Sequence, residues 1–262
     1  AGLRAQGLEV TVLHLMPTLM ERQLDPAAGA MLAATLEARG IEVITGANTK
    51  AILGDTQVSG VELGDGRVLA ASLVVMAVGI RPSAALACEA GLDVGRGILV
   101  DANMRTSDPD ILALGECAEV EGRVYGLVAP LYAMADVAAR TLADIPGEAF
   151  RHTDTPTKLK VSGIDLYSVG DFAGGDDREE IVLRDGQGSI YKRLVIRDGR
   201  LLGAVLYGET ADGGWFSDLV RNGADVSNGR DALIFGRDFA ESADALAGET
   251  LSQPGSGTAM AA

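Results

Sequence analysis

The sequence predicts an α/β protein in which parallel strand–helix–strand units are interrupted by an antiparallel crossover and followed by a small α+β unit. Three observations carry this. Residues 8–45 read as strand, helix and strand, with about 30 residues between strand starts, the spacing of a parallel crossover. Residues 49–69 then switch to a period of two, broken by Gly54-Asp55-Thr56 and Gly64-Asp65-Gly66, which are hairpin turns. Beyond Lys158 come several short β-rich segments and two short helical ones, the pattern of a sheet with helices packed on it.

The length of 262 residues suits two or three compact units. Asp and Glu outnumber Lys and Arg by 37 to 22, a net charge of -15, with no basic cluster to offset it. Such a surface repels phosphate backbones and anionic lipid, so nucleic acid and membranes are excluded as expected partners. Two cysteines, Cys88 and Cys117, and two histidines, His14 and His152, provide neither a disulfide framework nor a zinc or iron–sulfur ligand set. No apolar run reaches the roughly 18–20 residues that span a bilayer, and the start lacks the layout of a secretory signal. The expected compartment is the cytoplasm.

Taken in order, residues 1–7 read as the last turns of a helix closed by Gly7. So short a helix is not stable alone. Its natural origin is an upstream strand and turn, so the chain is expected to begin partway through a βαβ unit. Residues 8–13 form a β-branched strand, and residues 14–24 a loop beyond its carboxyl end, where ligands bind in parallel sheets. Asp25 is an N-cap, Pro26 the first helical residue, Met31, Leu32 and Leu36 a buried face, and Gly40 the stop. A strand at 41–45 follows, then crossover strands at 49–53, 57–63 and 67–69. The nearly continuous apolar run 72–78 suits a strand buried on both faces, ending in Gly79-Ile80-Arg81-Pro82. This layout resembles the nicotinamide-binding domain of disulfide-reductase-like flavoproteins.

Residues 98–118 (ILVDANMRTSDPDILALGECA) resemble the second FAD motif of that superfamily. Residues 111–114 are expected as a short buried strand. Gly115 would let backbone approach the cofactor, and Glu116 would project an acceptor toward a ribityl hydroxyl. Most relatives carry Asp at the Glu116 position; Glu keeps the acceptor and adds a methylene. About ten residues on, Leu127-Val128-Ala129-Pro130 opens a helix with Leu131, Met134, Val137, Ala138 and Leu142 on its apolar faces. The resemblance implies that its amino end, at Leu127 and Val128, faces the flavin pyrimidine edge. Free N–H groups there would stabilise charge on the reduced ring.

Two further stretches, residues 14–25 (HLMPTLMERQLD) and 157–171 (TKLKVSGIDLYSVGD), resemble the large subunit of NAD(P)H-dependent assimilatory nitrite reductases. The similarity runs from the start to near Phe239. It implies parts of two Rossmann-like dinucleotide-binding domains, FAD and NAD(P)H as cofactors, and electron delivery to iron–sulfur and sirohaem centres in downstream domains that this chain lacks. The first FAD and NAD glycine-rich loops of the family are likewise not in this sequence. A reductase of the rubredoxin or ferredoxin type shares the flavin motifs, and a cofactor-free assembly module is a third reading. A homodimer is compatible with the family's C-terminal domain.

The expected divisions are 1–77 for the partial NAD(P)-binding domain, 78–148 for the FAD segment, 149–240 for the α+β domain and 241–262 for a disordered tail or linker. His14 stands where many NAD-binding relatives place a carboxylate on the adenosine ribose. Imidazole cannot reject a 2′-phosphate as a carboxylate would, so NADH versus NADPH stays open. Arg22 pairs with cofactor phosphate or is an exposed loop arginine. Val78 and Gly79 border a nicotinamide dinucleotide or are a packed valine and a turn glycine. No acid–base side chain is needed, because the flavin carries the chemistry. Cys117 is expected as a small core residue, His152 as surface, Trp215 as packing in an amphipathic helix, and the acidic run 170–177 as a solvated turn.

Overall fold

The computed structural model describes residues 1–152, 156–161, 163–185 and 189–242, so the tail expected at 241–262 lies almost wholly outside the described residues. Two compact units emerge, one formed by the described residues of Ala1–Val74 and Pro156–Ala262, the other by those of Val75–Thr155.

In the first unit, α1 (Gly2–Ala5) ends at Gly7 with φ +83°, as its glycine stop predicts. Strands β1 (Val10–Leu13) and β2 (Ile41–Ile44) pair in parallel around α2 (Pro26–Ala38). The Asp25 carboxylate caps α2 by accepting from the Ala28 N–H at 3.4 Å, and Pro26 opens it without losing a needed donor. The crossover strands β3 (Thr49–Leu53), β4 (Gly60–Leu63) and β5 (Val68–Ala70) form an antiparallel sheet in chain order.

The run 72–78 does not become a strand. Leu73, Val75, Met76 and Val78 stand exposed, and only Val74 packs, against the small Ala47, Val61 and Leu63 cluster. A strand buried on both faces needs hydrogen-bonded neighbours and a layer on each side. No described strand lies alongside this run to provide them.

The second unit contains α3 (Ala85–Glu89), then β6 (Ile98–Val100) parallel to β7 (Ala118–Val120), with β8 (Arg123–Val124) antiparallel at the edge. Helix α4 (Val128–Leu142) covers this sheet through Met134, Val137 and Ala138, which join Met104, Val120, Tyr125 and Phe150 in one cluster. Leu142, expected on the apolar face, is exposed as the last residue of the helix.

The C-terminal half of the first unit is an antiparallel sheet of β9 (Thr157–Val161), β10 (Ile164–Gly170), β11 (Glu179–Arg184), β12 (Tyr191–Arg197) and β13 (Arg200–Tyr207), in the order β11-β12-β13-β10-β9. Helices were expected to cover one face; both are covered. Side chains alternate along β10 and β13, so Leu166, Val205 and Tyr207 face α2, while Tyr167, Ala204 and Leu206 face α5 (Gly213–Asn222). Phe216 of α5 is fully buried there, with Trp215 partly buried beside it, so the tryptophan packs as expected. On the other face the Tyr207 phenol meets Thr35 Oγ1 at 2.8 Å.

The acidic turn after β10 is clasped by an arginine. Arg178 donates to the Asp171 carboxylate and to the Ala173 carbonyl, each at 2.8 Å. The Arg178 hydrogen bond holds the Asp171 carboxyl below its ordinary value. A carboxyl whose folded pKa is depressed contributes stability that is complete above the unfolded value, near 3.9, and is lost as pH falls through the folded value. Arg178→Gln is therefore expected to lower stability slightly at pH 7, with the difference narrowing in strong acid to what the Ala173 carbonyl bond contributes. Urea midpoints of the two proteins between pH 7 and pH 2 check this, and a gap of the same size at both ends contradicts it. The effect is small because the Asp171 side chain is largely exposed.

Candidate functional site

The expected site residues fall in both units, His14 and Arg22 in the first and Val78, Gly79, Gly115, Glu116, Leu127 and Val128 in the second. In the first unit, His14 follows β1 directly. Its N–H donates to the Ile44 carbonyl and its carbonyl accepts from the Ala47 N–H, both at 2.9 Å, so its backbone continues the parallel ladder. The loop then folds back. Met20 takes φ +55°, and its carbonyl accepts from the Gln23 and Leu24 N–H groups at 2.8 Å. A Cβ at Gly29 of α2 would lie 2.9 Å from the Leu19 carbonyl oxygen. A helical glycine costs up to about 1 kcal/mol against alanine, and here it lets the loop lie directly on the helix.

This fold-back brings Glu21 to His14, with Oε2 2.9 Å from Nε2 and about one third of each side chain exposed. Glu21's own backbone N–H, then the His14 hydrogen bond, hold its carboxyl below the ordinary range. Glu21 was missed by sequence reasoning, since nothing in its spacing from His14 marks a pair. Arg22 is exposed and makes no hydrogen bond or ion pair among the described residues.

At its far end the loop is anchored in the protein. Asp25, 6% exposed, accepts from the Tyr191 hydroxyl at 2.6 Å and lies 3.5 Å from Arg193 Nη1. Arg193 reaches Glu180 through Nη2 at 2.8 Å and Nε at 3.1 Å. Burial, then the Asp25 hydrogen bond, push the Tyr191 phenol well above its ordinary range.

In the second unit, the run 98–118 builds a turn framework. Asp101 accepts from the N–H groups of Asn103 and Arg105 at 2.8 and 2.9 Å, which holds Met104 at φ +65° with its side chain fully buried. The strand expected at 111–114 is reduced to a single bridge between Arg105 and Leu112. Turn bonds from Thr106 Oγ1 to the Asp108 and Ile111 carbonyls occupy the backbone that a strand ladder would use.

Gly115 follows at φ +89°, opening a one-turn 3-10 helix, Gly115–Cys117, against which α4 packs. A Cβ at Gly115 would meet nothing within 4 Å. Two carboxylates three residues apart have opposite fates. Glu119 is buried and accepts from the Arg96 and Gly97 N–H groups at 2.6 and 3.0 Å, so the fold itself uses it. Glu116 is exposed and makes no hydrogen bond or ion pair among the described residues.

The amino end of α4 is equally open. Its N-cap is Leu127, which has no capping oxygen, and Leu127 and Val128 are exposed. The first-turn N–H groups therefore keep their capacity for an outside acceptor. Just before the helix, Tyr125 is buried edge-on to Phe150, and its hydroxyl meets His152 Nδ1 at 3.2 Å. Burial raises the Tyr125 phenol above its ordinary value. His152 is thus exposed, as expected, yet engaged. Cys117 is partly exposed rather than buried, with its thiol donating to the Leu114 carbonyl at 3.4 Å. Val78 is 88% exposed and Gly79 takes φ +89°, so the alternative of a packed valine does not hold.

An open positive-φ glycine, an unengaged carboxylate and an uncapped helix end fit the donor and acceptor needs of a flavin nucleotide. Among the described residues no group of three or more His, Cys, Asp or Glu could hold a metal ion, and no helix is long and apolar enough to cross a membrane.

The chain is 43% identical over 226 residues to a nitrite reductase [NAD(P)H] of Bacillus subtilis (strain 168), covering 86% of the chain and 28% of that protein. It is 39% identical over 244 residues to the nitrite reductase (NADH) large subunit of Escherichia coli (strain K12), covering 89% of the chain and 28% of that protein. The chain thus spans less than a third of the length of these relatives. Among solved structures, the ferredoxin reductase for the CYP199A2 system from Rhodopseudomonas palustris matches with TM-score 0.67 and 29% identity, over 87% of this chain and 59% of that one. Residues 156–224 match the rubredoxin NAD+ reductase C-terminal domain. Residues 1–141, more than half of the sequence, match the pyridine nucleotide-disulphide oxidoreductase model, and the chain belongs to that family.

Proposed function

We propose that this chain is the flavin- and nucleotide-binding portion of an NAD(P)H-dependent reductase, one that passes electrons to iron–sulfur and sirohaem centres for nitrite reduction. The observation that carries the flavin reading is the unengaged Glu116 beside the open, positive-φ Gly115 at a turn packed against α4. Bound FAD would supply acceptance of a hydride and release of single electrons. Gly115 leaves room for close approach of backbone to the cofactor. Glu116 accepts a hydrogen bond from a ribityl hydroxyl. The free N–H groups at Leu127 and Val128, with the positive end of the helix dipole, favour negative charge placed beside them. In the first unit His14 and Arg22 are the proposed nucleotide contacts, with Arg22 free to meet phosphate, and in the second unit Val78 and Gly79 are proposed as cofactor-binding residues.

The iron–sulfur and sirohaem ligands are proposed to lie outside this sequence, and the setting is proposed as cytoplasmic. The match of residues 156–224 to the rubredoxin NAD+ reductase C-terminal domain favours a second reading, in which the electrons go to a separate small redox protein. Purified protein is expected to be yellow and to oxidise NAD(P)H with an artificial acceptor. Glu116→Ala is expected to lower its bound flavin without unfolding it. A colourless protein whose thermal midpoint does not move when FAD is added contradicts the proposal and leaves the cofactor-free module.

A further inference from the structure

His14 alone leaves the choice between NADH and NADPH open, but the side chain that meets it does not. The amino-acid spacing puts an imidazole, where a carboxylate serves in many dinucleotide sites, just past the carboxyl end of a parallel strand. The folded loop returns a carboxylate to the same place: Glu21 Oε2 sits 2.9 Å from His14 Nε2, with the chain reversed by the left-handed Met20 and seated on Gly29. The His14 backbone is tied at both N–H and carbonyl to the β2 end, so the imidazole is a fixed post for that carboxylate. About one third of each side chain remains exposed, leaving Glu21 lone pairs for a ligand.

We propose that Glu21, oriented by His14, is the residue that reads the adenosine ribose, and that the site therefore prefers NADH to NADPH. This rests on the nucleotide reading of the loop given above. The chemistry is a difference between two ligands. A ribose with free 2′ and 3′ hydroxyls offers donors to the carboxylate, whereas a 2′-phosphate replaces a donor with negative charge and sets it against Glu21. Losing a hydrogen bond to a charged group is worth about 1.5–3 kcal/mol, or roughly 10–150-fold in affinity. Arg22, one residue on, attracts phosphate in either nucleotide and so strengthens both. His14 is a positioning residue, acting only through Glu21.

The test is calorimetric titration of the flavin-loaded protein with NAD+ and with NADP+, oxidised forms that do not turn over. The unaltered protein is expected to bind NAD+ at least about tenfold more tightly, within the range given by that hydrogen-bond difference. Glu21→Gln should shrink that ratio at least fivefold, mainly by tightening NADP+. His14→Ala should shrink it in part, and His14→Gln, which keeps a donor for the carboxylate, should restore it. Arg22→Gln should weaken both nucleotides to a similar extent. A ratio unchanged within twofold in Glu21→Gln, or a preference that disappears only in Arg22→Gln, overturns the assignment while leaving the nucleotide site standing. If the unaltered protein binds neither nucleotide, both the assignment and the nucleotide reading fall.

Discussion

Gly115→Val is expected to cost the protein its flavin while leaving it folded. The backbone there sits at φ +89°, a region that a β-branched residue enters only with strain of order 1–3 kcal/mol. The surrounding protein adds no clash of its own, since a Cβ at this position meets nothing within 4 Å. The valine methyls would instead fill the open space beside Glu116 that the flavin is proposed to share. Stability should therefore fall by the backbone term alone, and bound flavin should fall far more. Gly115→Ala incurs a similar backbone cost with a single methyl, so the difference between the two variants isolates the steric part. The measurements are flavin-to-protein stoichiometry after gel filtration and the urea midpoint of each apoprotein. If valine and alanine variants both retain flavin as the unaltered protein does, Gly115 is an ordinary turn glycine.

The largest loss of stability is expected from Asp25→Ala, at about 3–5 kcal/mol, the range for removing one partner from a buried charged pair. One carboxylate serves three groups: the Ala28 N–H at the start of α2, the Tyr191 hydroxyl and the Arg193 guanidinium. Alanine removes the cap and leaves a buried phenol and a nearly buried guanidinium short of an acceptor. Asp25→Asn keeps one oxygen, which can serve the Ala28 N–H or the Tyr191 hydroxyl but not both, because these bonds go to different carboxylate oxygens, and it should cost less than Asp25→Ala. Arg193→Met should be milder than Asp25→Ala because Asp25 keeps two donors, although Glu180 loses its bidentate partner. Urea melts of the three variants, with the Asp25→Ala and Arg193→Met double variant closing a cycle, check this. Additive losses would mean that the two groups do not share an interaction. Because Asp25 also closes the 14–24 loop, the same variant is expected to weaken nucleotide binding.

Features set by neighbours in the chain were legible. Asp25 and Pro26 mark the start of α2, Gly7 ends α1, and Gly54 and Gly64 mark the crossover turns; each works through the chemistry of one or two residues. The short β-rich segments beyond Lys158 mark β9 to β13. The run 72–78 shows the limit. Its apolar pattern states what kind of surroundings it suits, but hydrogen-bonded neighbours must come from elsewhere, and no described strand lies beside it.

By itself the sequence determined the α2 cap, the glycine stops, the crossover hairpins and the family, because propensity, capping and motif spacing act over a few residues. Only the tertiary structure decided that α2 covers the second face of the C-terminal sheet, that Asp25 is held by Tyr191 and Arg193 some 166 positions away for the tyrosine, and that Glu21 joins His14. The physical reason is that such pairings depend on where a chain reversal lands. A left-handed Met20 and the missing Cβ of Gly29 set that landing for the loop, and neither leaves a periodic mark in the residue pattern.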